Sequence, residues 1–440
     1  MKKSLTLAAL LSAASVPAQD TLSLDAAIRL ALANEHGIRI ARNDAAIAEE
    51  AATAGNAGLL PRIDASGRAT YSNQDTKLDF AEGIPDVERN GVVNTALSGQ
   101  LGLSYTVFNG LGNFAALDRA RLGAEIADLR VRAQVEGTLT QVIALYYGLS
   151  AMDQDVAITQ RIAAISADRY VRVESKAALG GSRLDALNAQ VDLQADSAAC
   201  LLALQRRERT QRDLNVLMGR ASDTPIVPSR QVSYASGLDQ ERLVAEAMQG
   251  NAQLAAATAQ ARAAEADERI ARAMRWPRLD LSAGYGLSDQ QNGVGLVLGT
   301  YTQGLNAGVT LSVPLYDGGR VGTQTGQARL RSESAAIAEQ QARALAERDV
   351  RNAYTAWRTQ REVMRIQLSA AGTAQVNFDR TRELFQAGQL TGLQFRQAQL
   401  DLANAQRQAV VAGFDAKVAE LSLLRASGGL LPALGVGGFR

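Results

Sequence analysis

Four stretches of the chain alternate strictly between apolar and polar residues. In 62–72, Ile63, Ala65, Gly67, Ala69 and Tyr71 alternate with Asp64, Ser66, Arg68, Thr70 and Ser72. In 96–107, Leu97, Leu101, Leu103, Tyr105 and Val107 alternate with Ser98, Gln100, Ser104 and Thr106. Further along, Leu279, Leu281, Ala283, Tyr285 and Leu287 oppose Asp280, Ser282 and Ser288, and Leu305 to Leu315 repeats the pattern around Asn306, Thr310 and Ser312. A period of two predicts strands with one apolar and one polar face. Runs of about ten such residues also have the length of membrane-barrel strands, apolar toward lipid and polar toward a lumen.

After each strand pair the chain loses its prolines and most of its glycines, over Asn113 to Ala178 and Val321 to Ala387. Each run predicts a helical rod of roughly 100 Å at 1.5 Å per residue. Short turns at Gly180-Gly181-Ser182 and Gly388 to Gly392 send the chain back as helices over 183–218 and 393–426. Helices of this length need lateral partners, as in coiled coils. Ahead of each strand pair a shorter helix is expected, over 23–57 with Ser23 as N-cap and Asp25 in its first turn, and over 238–274.

The halves are copies of each other. LLPRIDASGRATYS (59–72) is echoed by RWPRLDLSAGYGLS (275–288), and YTVFNGLGN (105–113) by SVPLYDGGR (312–320). Ala178 through Gln190 is echoed around Ala387 through Gln399. The offsets agree to within about eight residues, the mark of an internal duplication. The expected organisation is a segment 1–18, a first repeat over 19–220, a linker over 221–237 marked by clustered Gly and Pro, a second repeat over 238–426, and a tail over 427–440.

Segment 1–18 reads as a secretory signal peptide: Lys2 and Lys3, the apolar run Leu5 to Leu11, then small residues to a cleavage point after Ala18. The protein is expected to be exported, and with no Cys near that point a lipid anchor is not expected.

Composition narrows the function classes. Of the 440 residues 80 are alanine and 5% are aromatic, which suits closely packed helices. The 46 Lys+Arg against 45 Asp+Glu give no basic stripe for nucleic acid. One Cys and one His rule out an internal disulfide and a zinc site of the usual spacing. No cofactor is expected, and neither a Walker-type motif, Gly-x-Ser-x-Gly nor His-Glu-x-x-His occurs, so no enzyme is expected. Gly293 to Gly299 is glycine-rich but lies between two strands with no helix after it, so it reads, like 73–93, as an external loop.

Four strands cannot close a membrane barrel, and open edges are not tolerated in lipid. Other copies must therefore complete the sheet, and three copies would supply twelve strands. The rods carry charge along their length (Arg119, Glu125, Asp128, Arg132), so they belong in water beside the membrane. Patterning alone thus points to an oligomeric conduit, mainly α-helical with a membrane β-barrel part.

The chain resembles the TolC family of outer-membrane efflux and secretion channels over nearly its whole length. The resemblance rests on SLDAAIRLALAN (23–34), Leu-Pro-x-Ile at 60–63, Phe-Asn-Gly at 108–110, Tyr-Asp-Gly-Gly at 316–319, Gly-Ser-Arg-Leu-Asp-x-Leu-x-Ala-Gln at 181–190 and Leu-Met-Gly at 217–219. It implies a homotrimer in outer-membrane lipid, with a 12-stranded barrel and a 12-helix tunnel in the periplasm. A periplasmic adaptor (membrane fusion) protein and an inner-membrane transporter would dock at the tunnel's far end, which opens like an iris.

Carried over by motif, the pore constriction falls on Asp185, Asn188, Gln394 and Gln397. This sequence has fewer acids there than the family pattern, and Asp185 also suits the start of a helix simply through the dipole. Adaptor docking falls on Gly180, Gly181, Ser182, Arg183 and Leu184, and on Gly388, Gln389, Leu390, Thr391 and Gly392. Pro61, Gly110, Gly112, Pro277, Gly318 and Gly319 have a structural role where barrel and tunnel meet. Tyr71, Tyr105, Phe108, Tyr285 and Tyr316 suit either an interfacial girdle or strand packing. His36 reads as a surface or capping residue, and Cys200 as a buried small apolar one.

The expected function is an outer-membrane export duct, with type I protein secretion favoured over a drug or metal efflux outlet. A non-porous periplasmic helical structural protein is the rival from another class, and the strands speak against it.

Overall fold

The computed structural model describes residues 21–79, 87–229, 232–295 and 297–435. Residues 1–18, read as a signal peptide, lie outside them, as do parts of the expected loops and the last residues of the tail. The chain opens with β1 (Thr21–Leu22), α1 (Leu24–Asn34) and α2 (His36–Ala51). There follow β2 (Arg62–Leu78), β3 (Val87–Phe108), α3 (Gly112–Ala178) and α4 (Arg183–Leu217). After β4 (Val227–Pro228) the order returns: α5 (Gln240–Gly250), α6 (Ala252–Ala273), β5 (Arg278–Gln291), β6 (Gly299–Ser312), α7 (Arg320–Gln386) and α8 (Gly392–Ala426), with a short α9 (Leu430–Ala433) at the end. Both rods are thus single helices of 67 residues and both return helices have 35.

The expected helix 23–57 is corrected to two. Ser23 does cap α1, accepting from the Ala26 amide, but α1 stops at Glu35 in extended backbone. The Glu35 carboxylate then accepts from the amides of Gly37 and Ile38, so one side chain ends one helix and caps the next. The expected helix 238–274 breaks in the same place of the repeat, at Asn251. The strands are longer than their alternation suggests. Residues 73–78 and 87–93 of the expected loop continue the β2–β3 ladder, with a bulge between Gln74 and Thr76, while β6 ends at Ser312, short of Leu315. Asp75 beside that bulge accepts from the Gly91 amide, which holds the ladder in register where the apolar pattern has faded. Cys200 on α4 is half-buried rather than buried.

The described chain forms two compact units. One comprises Ala41–Val131 and Ala252–Leu345. Its antiparallel sheet has the order β2-β3-β5-β6, so the two hairpins of the duplicated unit pair through β3 and β5. Its helices meet through small residues, with Ala259, Ala263 and Ala266 of α6 against Leu122 and Ile126 of α3. Alanine on one side lets the axes of these two helices approach closely.

The other unit holds the chain up to Ile40, Arg132–Asn251 and everything from Ala346. Its core joins Leu243 and Ala247 of α5 to Val350 and Trp357 of α7 and Leu423 of α8. The parallel pair β1–β4 is held by the Tyr146 hydroxyl, which donates to the Leu22 carbonyl and accepts from the Ser229 amide. Arg132 bonds the Glu136 carboxylate and the Gly250 and Gly428 carbonyls, closing the ends of α5 and α8 together. Burial pushes the Glu136 carboxyl above its ordinary range despite that arginine.

Candidate functional site

The sheet has two chemically distinct faces. Odd-numbered residues of all four strands put Ile63, Tyr71, Leu97, Leu101, Tyr285, Leu305 and Val309 on one side, all exposed. Leu305, in the middle of β6, is 75% exposed. An apolar surface spread over four strands is far larger than the scattered apolar side chains of a monomeric surface. The opposite face carries Ser, Thr, Asn, Gln and Gly, and a shallow depression on it is lined by Asp64, Gln100, Ser104, Ser282 and Asn306. Both edge strands, β2 and β6, have one side without a ladder partner among the described residues. Tyr71, Phe108, Tyr285 and Tyr316 are exposed and Tyr105 is partly so, so the first four are not packed inside this chain.

Where strand turns to helix, the two halves use one device. Asn109 accepts from the Asn113 amide at the start of α3, and its repeat Asp317 accepts from the amides of Gly319 and Val321 at the start of α7. Gly110, Gly318 and Gly319 have φ near +70 to +81°, as does Leu111 (67°), which sequence reasoning missed. Gly112 is the first residue of α3 and packs close to Ala273. Pro61 and Pro277 stand one residue before β2 and β5, where a missing N–H costs nothing to the ladder.

These glycines are not equivalent. A Cβ on Gly110 would lie 2.6 Å from the Ala273 carbonyl oxygen and 2.8 Å from Trp276, whereas one on Gly318 meets nothing within 4 Å. Gly318→Ala should therefore cost only the left-handed backbone, about 1 kcal/mol. Gly110→Ala adds a backbone clash and should cost about 3 kcal/mol or more. Thermal melting of the two purified variants checks the difference.

The tips lie in the other unit. At the first, Gly180 has φ +98° and Gly181 leaves no room for a Cβ, which would sit 2.7 Å from the Lys176 carbonyl oxygen. Ser182 caps α4 by accepting from the Asp185 amide. At the second, Gly388 has φ +73°, and Thr391 and Gln394 form a reciprocal capping box at the start of α8. Arg183 and Gly392 are the first residues of α4 and α8, and Gln389 and Leu390 lie in the second turn, with Leu390 partly buried. Leu179, Leu184 and Leu393 are exposed around the tips, Leu179 by 90%.

Asp185 and Asn188, three residues apart on α4, share one exposed face, and neither side chain has a partner among the described residues. Gln394 is committed to its cap, and Gln397 donates to Asp401.

Just behind the tips lies a polar cluster that the sequence did not reveal. Arg396 of α8 reaches α4 with both terminal nitrogens, to Asp196 at 2.6 and 3.0 Å, and its Nε is 3.4 Å from Asp192. Arg169 of α3 holds Asp192 at 2.7 Å. Ser166 donates to Asp196, and Gln399 donates to Ser166 and to the Ile162 carbonyl. Further from the tip, Asp155 of α3 accepts from Arg206 of α4 and Arg407 of α8. Stacked Phe385 and Phe395, with Phe378, pack beside the cluster. Three helices from both halves are thus clasped by two arginines and two aspartates in a largely dry setting.

Among the described residues no group of acidic, His and Cys side chains could hold a metal, and no helix is long and apolar enough to cross a membrane.

Comparison with known proteins agrees with this geometry. The pyoverdine export outer membrane protein OpmQ of Pseudomonas aeruginosa is 27% identical over 427 residues, 94% of this chain and 85% of that protein. Protein CyaE of Bordetella pertussis is 27% identical over 311 residues, 68% of this chain but only 61% of that protein. Among solved structures, the CmeC outer membrane channel of Campylobacter jejuni superposes with a TM-score of 0.79 over 92% of this chain and 86% of that one, at 15% identity, a likeness of fold. The outer membrane efflux protein family matches residues 27–220 and 243–429, which is most of the sequence. The chain therefore belongs to the outer membrane efflux protein family, and its place is the outer membrane.

Proposed function

We propose that three copies of this chain form a duct that passes cargo from a periplasm-spanning export machine to the outside. The observation that carries it is the four-stranded sheet, apolar on one face, polar on the other and unpaired at β2 and β6. Pairing β2 of one copy with β6 of the next removes every edge, as lipid requires, and three copies close twelve strands around a polar lumen. The rods and return helices of three copies then make twelve tunnel helices in the periplasm.

The exposed leucines and reversed glycine turns of the tips are the docking surface for a periplasmic adaptor and an inner-membrane transporter. That transporter supplies the energy, and the duct does no chemistry of its own. Asp185 and Asn188, with free side chains, are the constriction residues of choice, while Gln394 and Gln397 contribute mainly through their helix. Removal of 1–18, two repeats over 19–220 and 238–426, the linker 221–237 and the tail 427–440 complete the plan.

For cargo, type I protein secretion is the first reading. A small-molecule outlet is the second, favoured by the match to OpmQ over nearly the whole chain. Deleting the gene decides between them. Loss of secreted polypeptides from the culture medium supports the first, and intracellular accumulation of siderophores, drugs or metals with an unchanged protein secretome supports the second. The duct itself is tested by electron microscopy of detergent-extracted protein. Threefold particles with a barrel and a tapered tube are expected; monomers or filaments would overturn it.

A further inference from the structure

Over rows 62–72 of β2, the polar face of the sheet carries one charge, Arg68, without a partner among the described residues. Arg62 pairs with Asp64 at 2.8 Å, and their repeats Arg278 and Asp280 pair at 2.8 Å, so the inner end of the face is neutral. Beyond Asp64 the same face shows Ser66, Arg68, Thr70, Ser72 and Gln74 on β2. Across β3, β5 and β6 the rows of Ser66 to Ser72 hold Ser, Gln, Asn, Thr, Ala and Gly, and Gln74 stands opposite Val92. In its own row Arg68 stands opposite Ser98, which faces Ser288, which faces Thr302. Arg68 is exposed and has no ion-pair or hydrogen-bond partner among the described residues.

Nor does the adjoining strand of a neighbouring copy offer a counter-charge. Arg68 lies on the edge strand β2, whose partner in a closed barrel is β6 of the next copy. β6, GTYTQGLNAGVTLS, contains no charged residue, so this holds at any register. The fold does not ask for an arginine here either. The duplication places Gly284 at the equivalent point of the second half, although the flanking Arg-x-Asp pair is kept in both. A long cation retained in one half and replaced by hydrogen in the other serves something other than the repeat's architecture.

Resting on the duct reading, we infer that Arg68 forms a basic collar in the lumen, three cations at one level of the trimer, that selects for anionic cargo. The class is one bearing carboxylate, phosphate or sulfonate groups, which a guanidinium recognises by paired hydrogen bonds. A ring of like charge in a narrow polar passage raises the local concentration of the opposite sign and repels its own.

The local potential can be read without any knowledge of cargo or of whether the tips are open. In a Cys200→Ser background, which removes the native thiol, Ser98→Cys puts a thiol directly across from Arg68. Full-length protein in the outer membrane of intact cells is treated with an anionic reagent, the sulfonatoethyl methanethiosulfonate, and a cationic one, the trimethylammonioethyl analogue. With Arg68 present the anionic reagent should be favoured. Arg68→Gln should lower the anionic-to-cationic rate ratio at least threefold at 10 mM salt, Arg68→Glu should lower it further, and Arg68→Lys should keep it. In 1 M salt, where the Debye length is about 3 Å, the differences should collapse.

A ratio that stays the same in Arg68→Gln and Arg68→Glu at low salt overturns the collar while leaving the duct standing. Failure of the duct looks different. A thiol introduced by Leu305→Cys on the apolar face would then react with both charged reagents as fast as the thiol of Ser98→Cys, because no lipid would cover it.

Discussion

Arg396→Ala should loosen the second tip more than any other single change near it. Asp196, only 8% exposed, would lose two charge-assisted hydrogen bonds and keep Ser166 alone, while Asp192 would fall back on Arg169. Removing one partner of a buried ion pair costs about 3–5 kcal/mol, because the remaining charge stays desolvated. That cost falls on the contact between α8 and the α3–α4 hairpin, so amide protons of 392–400 should exchange at least a hundredfold faster than in the parent. In the trimeric duct the same change should raise single-channel conductance, since the helices bordering the far end are no longer clasped.

A second variant separates clasp from simple damage. Joint replacement of Arg396 by Met and Asp196 by Leu removes both charges and should recover most of the thermal stability, as buried pairs replaced by apolar groups of similar size commonly do. Exchange would remain at parental rates in Arg396→Ala if the cluster were ornamental, and the double variant would then show no recovery to measure.

The clasp also marks where sequence reasoning stops. Strands and rods were legible because period and length are local: alternation in 62–72 and the absence of proline from 113 to 178 need no knowledge of the rest of the chain. The turns were legible because Gly180 and Gly388 occupy left-handed backbone that few other residues tolerate. The duplication then checked each half against the other, and it foresaw the shared capping of α3 and α7 at Asn109 and Asp317 only as an aligned motif. Arg396 and Asp196 are 200 residues apart, and nothing in either neighbourhood sets them off from the many solvated charges of a long helix.

The missed helix breaks have a different cause. Glu35 and Asn251 are ordinary helix formers or neutral residues, and what stops the helix is the carboxylate at 35 turning to cap α2 and the Arg132 contact that fixes the end of α5. The outer part of β3 was missed because it lacks apolar alternation. That stretch has no long apolar stripe, so the ladder with β2 and the Asp75–Gly91 bond hold it instead.

The membrane reading makes the sharpest demand on two adjacent residues. Leu305 and Asn306 sit at the middle of β6, opposite Tyr285 and Gly284 on β5, and point to opposite faces of the sheet. If the apolar face meets lipid, Leu305→Arg places a guanidinium near the bilayer midplane at a cost of about 2–4 kcal/mol per copy, incurred three times in a trimer. Assembled trimer in outer-membrane fractions should fall by tenfold or more. Asn306→Arg adds the same volume and charge one residue away, but into the polar lumen, and should leave trimer levels within about a factor of two of the parent. No property of a soluble strand predicts that asymmetry, because on a water-exposed sheet the two substitutions are nearly interchangeable. Equal tolerance of both would put both faces in water and remove the barrel; equal loss would mean that the polar face is packed rather than open. Only the pairing of a lethal Leu305→Arg with a silent Asn306→Arg requires lipid on one side of β6 and a wet passage on the other.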